Sequence, residues 1–155
     1  MKTLIVYDSV FGNTEKVAQA MALAIAGAQA VKIDALSPQQ LEGVTLLLVG
    51  SPTRAFRPTP AISAWLKGLP AGKLKGARVA AFDTRISVED ANSAVLRFMV
   101  KLFGWAAKPI ANGLVKAGGK LAAEPEGYYV AGSEGPLKDG ELERAAAWAQ
   151  RIAAA

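Results

Sequence analysis

Ser9, Asn13 and Thr14 stand around Gly12 in one short stretch, Tyr7-Asp8-Ser9-Val10-Phe11-Gly12-Asn13-Thr14-Glu15. Hydroxyl and amide side chains at this spacing, next to one glycine, can turn several backbone N–H groups and the Ser9 and Thr14 hydroxyls toward a single point. If a helix starts here, its unpaired N–H groups and positive dipole end point the same way. The chemistry offered is that of an anion cradle, and phosphate is the obvious occupant. An ordinary strand-to-helix turn, capped by Asn13 or Thr14, reads equally well from these residues alone.

Two other stretches share this polar, turn-rich character. Gly50-Ser51-Pro52-Thr53-Arg54-Ala55-Phe56-Arg57-Pro58-Thr59-Pro60 holds three prolines, which keep it out of helix and sheet. Asp83-Thr84-Arg85 leads into Ser87. Asp8 and Asp83 are placed to orient their loops as hydrogen-bond acceptors, and no catalytic acid or base can be named.

The elements that must hold these stretches can be read from periodicity. Thr3 to Tyr7 is a β-branched, apolar run that reads as a strand. Lys16 to Ala26 reads as a helix, with Ala18, Met21, Ala22 and Ile25 on one face and Gly27 as its C-cap. Ala30 to Asp34 reads as a second strand. Ser37-Pro38 opens a brief helical turn that Gly43 ends. Val44 to Val49 is apolar without alternation, the pattern of a strand covered on both faces. A helix with Ile62, Trp65, Leu66 and Leu69 follows, and Arg78 to Asp83 is the next strand.

Ser87, with Asp90 three residues on, is expected to start a helix carrying Val95, Leu96, Phe98, Met99, Val100, Leu102 and Phe103. Arg97 and Lys101 are its only obvious polar stripe, so this element is expected to be buried. Ala107 to Ala117 reads as another helix. Lys120 to Val130 reads as a last strand interrupted near Pro125 and Gly127. Gly132 to Gly140 is a turn-rich loop. The final helix is expected to be capped by Asp139, with Leu142, Ala145, Ala149 and Ile152 facing inward. Gly119-Lys120 lacks the spacing of a nucleotide-binding P-loop.

Strands alternating with helices predict a parallel sheet covered on both faces. Ligands of such sheets bind outside the carboxyl ends of the strands, where strand order reverses. The three loops at that edge are Asp8–Thr14, Ser51–Thr59 and Asp83–Ser87. Their convergence favours the cradle over the plain turn.

Composition narrows the chemistry. The 155 residues are 52% hydrophobic and 20% charged, enough for one domain with a substantial core. Without cysteine or histidine, disulfides, thiolate nucleophiles, a Ser-His-Asp triad and the usual zinc sites are not expected. No signal pattern or membrane-spanning run is visible, so a cytoplasmic, soluble protein with no membrane partner is expected. The net charge is +5, from 18 dispersed Lys and Arg residues. Nucleic-acid binding is not expected, because no basic cluster interleaved with aromatics is present.

Together these segments resemble the flavodoxin family. Ser9-Val10-Phe11-Gly12-Asn13-Thr14 lines up with the family's phosphate loop, usually T/S-x-T-G-x-T. Gly50-Ser51-Pro52-Thr53-Arg54 is similar to the second flavin loop of the related quinone-reductase branch. The resemblance implies one flavodoxin-like domain over residues 1–155, a three-layer α/β sandwich with a five-stranded parallel sheet of order 2-1-3-4-5. It implies non-covalent FMN and electron transfer. Ser9, Gly12, Asn13 and Thr14 would hold the phosphate, with Val10 and Phe11 adding backbone N–H groups. Ser51, Pro52, Thr53, Arg54, Ala55 and Phe56 would flank one side of the flavin ring, and Asp83, Thr84 and Arg85 the other.

Three features depart from the family pattern. Phe11 replaces the loop's middle hydroxyl. The third loop has no Tyr or Trp, and Phe56, the only aromatic of the second, reads as a hydrophobic plug or as a stacking ring. The chain is also basic, whereas typical flavodoxins are acidic. A redox partner protein is implied, and the positive charge suits an acidic one. Arg54, Arg57 and Arg85 would favour the anionic reduced flavin if they face the ring, with Arg57 the one expected to point to solvent. The segment Ser87–Trp105 extends the core, forms a homodimer contact or walls the flavin; the first is preferred. An electron carrier is the leading reading. The alternatives are an FMN-dependent NAD(P)H:quinone-type oxidoreductase and a flavodoxin-fold binding or regulatory protein without flavin.

Overall fold

Apolar runs that cannot be amphipathic form the centre of the computed structural model, which describes residues 1–87 and 93–155. β1 (Thr3–Tyr7), β2 (Gln29–Lys32), β3 (Leu46–Pro52), β4 (Arg78–Ile86), β5 (Lys120–Leu121) and β6 (Glu126–Val130) make one parallel sheet in the order β2-β1-β3-β4-β5. β6 also pairs with β4, in parallel register from Phe82 opposite Glu126 to Ile86 opposite Val130. The predicted last strand is thus two pieces on one neighbour, and the break falls before Gly127, which lies inside β6.

Side-chain alternation divides the core. Ile5, Tyr7, Leu46, Leu48, Phe82 and Tyr128 face α1 (Asn13–Ala24) and α5 (Glu141–Ala154), meeting Val17, Met21, Trp148 and Ile152. Leu4, Val6, Leu47, Val49 and Val79 face α2 (Pro60–Gly68) and α4 (Ala107–Lys116), meeting Ile62, Ile110 and Leu114. Both faces are covered, which is why the strands read as continuous apolar runs. The expected fold and strand order are therefore the observed ones.

Several element ends differ from expectation. α1 begins at Asn13 with Gly12 as N-cap in the left-handed region (φ 91°), so neither Asn13 nor Thr14 caps it. Gly140, also left-handed, takes the N-cap of α5 in place of Asp139. Leu142 is exposed on α5, and Trp148 takes its place in the core. β4 runs on through Thr84 and Arg85, so the third loop starts later than expected. The helical turn after Ser37 is a short 3₁₀ segment, Pro38–Leu41, with the Ser37–Gln40 capping box.

The largest correction concerns α3 (Ala94–Phe103). Its N-cap is Ser93, whose hydroxyl accepts from Leu96 N–H. The start expected at Ser87–Asp90 falls largely outside the described residues. α3 contains no buried residue, contrary to the expected core extension. Val95 is 73% exposed, Phe98 and Leu102 63%, and Phe103 57%. The sheet face is filled by α2 and α4, and α3 adds no residue to that core.

Candidate functional site

The carboxyl edge of the sheet is notched between β1 and β3, where the strand order reverses. A cleft of about 370 Å³ opens there. The structure brings Ser9, Val10, Phe11, Asn13, Thr14, Pro52, Thr53, Arg54, Ala55, Thr84 and Arg85 to its walls. Of the residues expected at the site, Gly12, Ser51, Phe56 and Asp83 do not line it.

The first loop is shaped by its own side chains. Asp8 Oδ1 accepts from Ser9 N–H (2.9 Å), and Asp8 Oδ2 accepts from the Thr59 hydroxyl (2.6 Å), tying this loop to the start of α2. Ser9 Oγ accepts from the N–H of Gly12 (3.1 Å) and of Glu15 (3.4 Å). Its oxygen therefore organises the turn from within. The backbone N–H groups of Val10, Phe11, Asn13 and Thr14 have no partner among the described residues. These four free donors stand at the N-terminus of α1, where the helix dipole favours negative charge.

Below them, the Thr14 and Thr84 hydroxyls meet at 2.8 Å. One hydrogen serves that contact. The other hydroxyl hydrogen has no acceptor among the described residues and can donate to a group in the cleft.

The second loop is a hairpin-like turn. Arg54 and Arg57 pair through both backbone bonds, with Arg54 N–H to Arg57 O at 2.8 Å and the reverse at 3.0 Å. The residues between them, Ala55 (φ 48°) and Phe56 (φ 68°), both lie in the left-handed region, which non-glycine residues seldom occupy. This conformation carries Phe56 away from the cleft and onto Phe103, with ring centroids 5.9 Å apart. Phe56 is half-buried there and does not line the cleft. Ser51 is fully buried and positions the loop, its Oγ accepting from Thr59 N–H at 2.9 Å.

Asp83 is buried too. Its carboxylate receives both arms of Arg85 (2.6 and 2.7 Å) and the Ala107 N–H at the start of α4 (2.9 Å). Burial pushes its pKa up against these donors. Arg85 lies over Trp105, 4.6 Å from the ring centroid. The absence of a side chain at Gly127 makes room for it, since a Cβ there would fall 2.1 Å from Arg85 Nε. Arg54 lies over the exposed Phe11 ring at 5.6 Å, at the mouth of the cleft. Arg57 lines a neighbouring groove instead.

Sequence reasoning missed the fourth wall. Val130 at the end of β6, and Ser133 and Glu134 beyond it, line the cleft with Ile86. Asn13 Nδ2 donates to Glu134 O (3.1 Å), and Gly135 packs so closely that a Cβ would meet Asn13 Nδ2 at 2.7 Å. The sheet-edge rule that gathered the other three loops applies to this one as well.

This chain has the flavodoxin fold: the parallel sheet, its strand order, and the loops gathered at its switch point are those of that architecture. It superposes on oxidised flavodoxin 1 from Bacillus cereus with a TM-score of 0.77 at 18% identity, covering 99% of this chain and 98% of the other. A flavodoxin, WrbA-like protein from Agrobacterium tumefaciens gives 0.72 at 23% identity, covering 99% and 95%. Rubredoxin oxygen:oxidoreductase from Desulfovibrio gigas gives 0.73 at 20% identity, with this chain covering 35% of that longer one. No family model matches the sequence, and no curated protein matches it.

Proposed function

We propose that this protein is an FMN-binding electron carrier of the flavodoxin type. The observation that carries the reading is the set of four amides without a partner among the described residues, Val10, Phe11, Asn13 and Thr14, at the helix start beside the switch-point cleft. A phosphate monoester suits this donor set, which holds several N–H groups and no carboxylate in the cradle itself. The free hydroxyl hydrogen of the Thr14–Thr84 pair adds a further donor. Thr53 to Ala55 on one wall and Thr84 to Ile86 on the other would flank the ring. Bound there, FMN would supply one- or two-electron chemistry.

The chain's own residues set the surroundings. Phe11 gives the phosphate loop a backbone donor but no hydroxyl. The ring walls are aliphatic and peptide rather than aromatic, so less stacking is available than in a cleft walled by Tyr or Trp. Arg54 brings to the mouth a positive charge with no ion pair among the described residues. Titration of apo-protein with FMN tests the reading. Saturable quenching of flavin fluorescence, competed by inorganic phosphate, is expected. An apo-protein that leaves the flavin free would point instead to a flavodoxin-fold protein without cofactor.

A second reading, reduction of quinone-type acceptors with NAD(P)H, is favoured by one observation. A groove of about 550 Å³ shares Ala55 with the cleft and presents Phe56, Phe103, Arg57 and Lys108, an apolar and cationic lining suited to a flat anionic reactant. Steady-state NAD(P)H oxidation by the FMN-loaded protein separates this enzyme from a carrier.

A further inference from the structure

Charge is divided unequally between the two faces of the sheet. Residues 60–77 and 94–116, which include α2, α3 and α4, contain seven Lys or Arg and no Asp or Glu. All seven cations are exposed. None forms an ion pair among the described residues. The helices of the opposite face balance Glu15, Glu141 and Glu143 with Lys16, Arg144 and Arg151.

The basic surface is continuous. Lys67 of α2 and Lys116 of α4 line one groove. Phe103 of α3 and Lys108 of α4 line the next, and both grooves share Pro58, Ser63 and Pro109.

On this basic face α3 stands out as an apolar ridge. Val95, Phe98 and Leu102, at i, i+3 and i+7, share one side of the helix and are among its most exposed residues. Arg97 and Lys101 lie beside them, and Leu96, Met99 and Val100 are half-buried. Apolar side chains projecting from one side of a helix, with cations beside them and more on the surface around it, are the makings of an interfacial anchor.

We propose that the α2–α3–α4 face docks on an anionic lipid surface, with Val95, Phe98 and Leu102 entering the headgroup boundary. This goes beyond the flavin reading and does not depend on it. It also departs from the sequence expectation of no membrane partner, although no helix among the described residues is long and apolar enough to cross a bilayer. Lipid suits the surface for two reasons. A convex apolar ridge needs a yielding phase, which nucleic acid does not offer. Dispersed cations gain from a uniformly negative surface without matching individual partners. A second copy stacked through α3 would bring Arg97 and Lys101 of both chains together, and like charges oppose it.

Docking by this face would also hold the cleft near the lipid. Phe103 packs on Phe56, one residue from the cleft-lining Ala55, and Trp105 lies against Arg85.

Sedimentation of the full-length protein with vesicles tests the proposal. Binding is expected to phosphatidylcholine vesicles containing phosphatidylglycerol, and not to phosphatidylcholine alone, and it should weaken as salt rises. Phe98→Ser with Leu102→Ser, at exposed positions that leave the core untouched, should weaken binding at least about tenfold while the circular dichroism spectrum is unchanged. Lys108→Gln with Lys116→Gln should weaken it on anionic vesicles and reduce the salt dependence. FMN-loaded and apo-protein should sediment alike, so failure here is separate from failure of the flavin reading. Absence of binding to anionic vesicles overturns the proposal and leaves the face to an acidic protein. Equal binding by the Phe98 and Leu102 variant overturns it in favour of unspecific adsorption. A dimer in solution that this variant dissociates overturns it in favour of a second copy.

Discussion

The hydroxyls of Thr14 and Thr84, seventy positions apart in sequence, meet at 2.8 Å beneath the cleft. The contact joins the first turn of α1 to the end of β4 and so couples the cradle to the opposite wall. Both residues are buried, and the pair is the one direct side-chain link between the first and third loops among the described residues.

Replacing one member leaves the other hydroxyl buried without its partner. Thr84→Val is expected to cost about 1–2 kcal/mol, lowering the melting temperature by about 2–8 °C. FMN affinity should fall by about tenfold if the free hydroxyl hydrogen serves the phosphate. The double variant Thr14→Val/Thr84→Val should be more stable than the sum of the single changes predicts, because both polar groups are removed together. Strict additivity in thermal melts would contradict the coupling.

Arg54 and Arg85 should behave differently although both line the cleft. Arg85 is matched by buried Asp83, so Arg85→Gln strands a carboxyl that burial already pushes upward. About 3–5 kcal/mol of stability should be lost, as for other broken buried pairs, and Asp83 should take up a proton. Protonation returns the site to neutrality, so the hydroquinone potential of the FMN-loaded protein should move little. Arg54→Gln removes a charge that has no ion pair among the described residues and should lower that potential with a small effect on stability. A redox titration in which both variants shift alike would refute the distinction.

Ala55 is an exposed non-glycine residue held at φ 48°. Glycine adopts this region without the clash of a Cβ. Ala55→Gly should therefore raise stability by about 0.5–1 kcal/mol, the relief of left-handed strain exceeding the added chain entropy. A lower melting temperature would show that the turn is not strained as its dihedral indicates.

Two carboxyls should give opposite pH responses. Glu141 is pushed up by burial, but Arg144 (2.7 and 3.0 Å) and the Tyr129 N–H (2.7 Å) outweigh that and hold it below the usual range. Its stabilisation is present above the unfolded value and is lost as pH falls through the folded one. Asp83, raised, has the reverse sign: its contribution is full below the unfolded carboxyl value and is lost as pH rises through the folded one. Glu141→Gln should lower the melting temperature at neutral pH, and the gap to the unmodified protein should close below about pH 4. A gap independent of pH would mean that Glu141 acts by packing alone.

Much of the fold was legible because parallel-sheet strands buried on both faces leave an unmistakable pattern, as in Val44–Val49. The loop after β1 was legible only as one of two readings, since hydroxyls around a glycine between strand and helix suit an anion cradle or an ordinary turn, and the other loops at the same sheet edge favoured the cradle. The bounds of elements were less so. Gly12 and Gly140 displaced the polar caps because left-handed geometry was required where a side-chain acceptor was expected.

By itself, the sequence determined the alternation of strands and helices and the residue types of the three polar loops that follow strands, since both rest on local periodicity or on residue type. Only the tertiary structure decided that Phe56 turns to Phe103, that Asp83 neutralises Arg85, that Ser133 and Glu134 close the cleft and that α3 stays uncovered. These outcomes depend on which surfaces remain free once the sheet has been packed. That competition is between distant segments, and no local pattern of residues encodes its result.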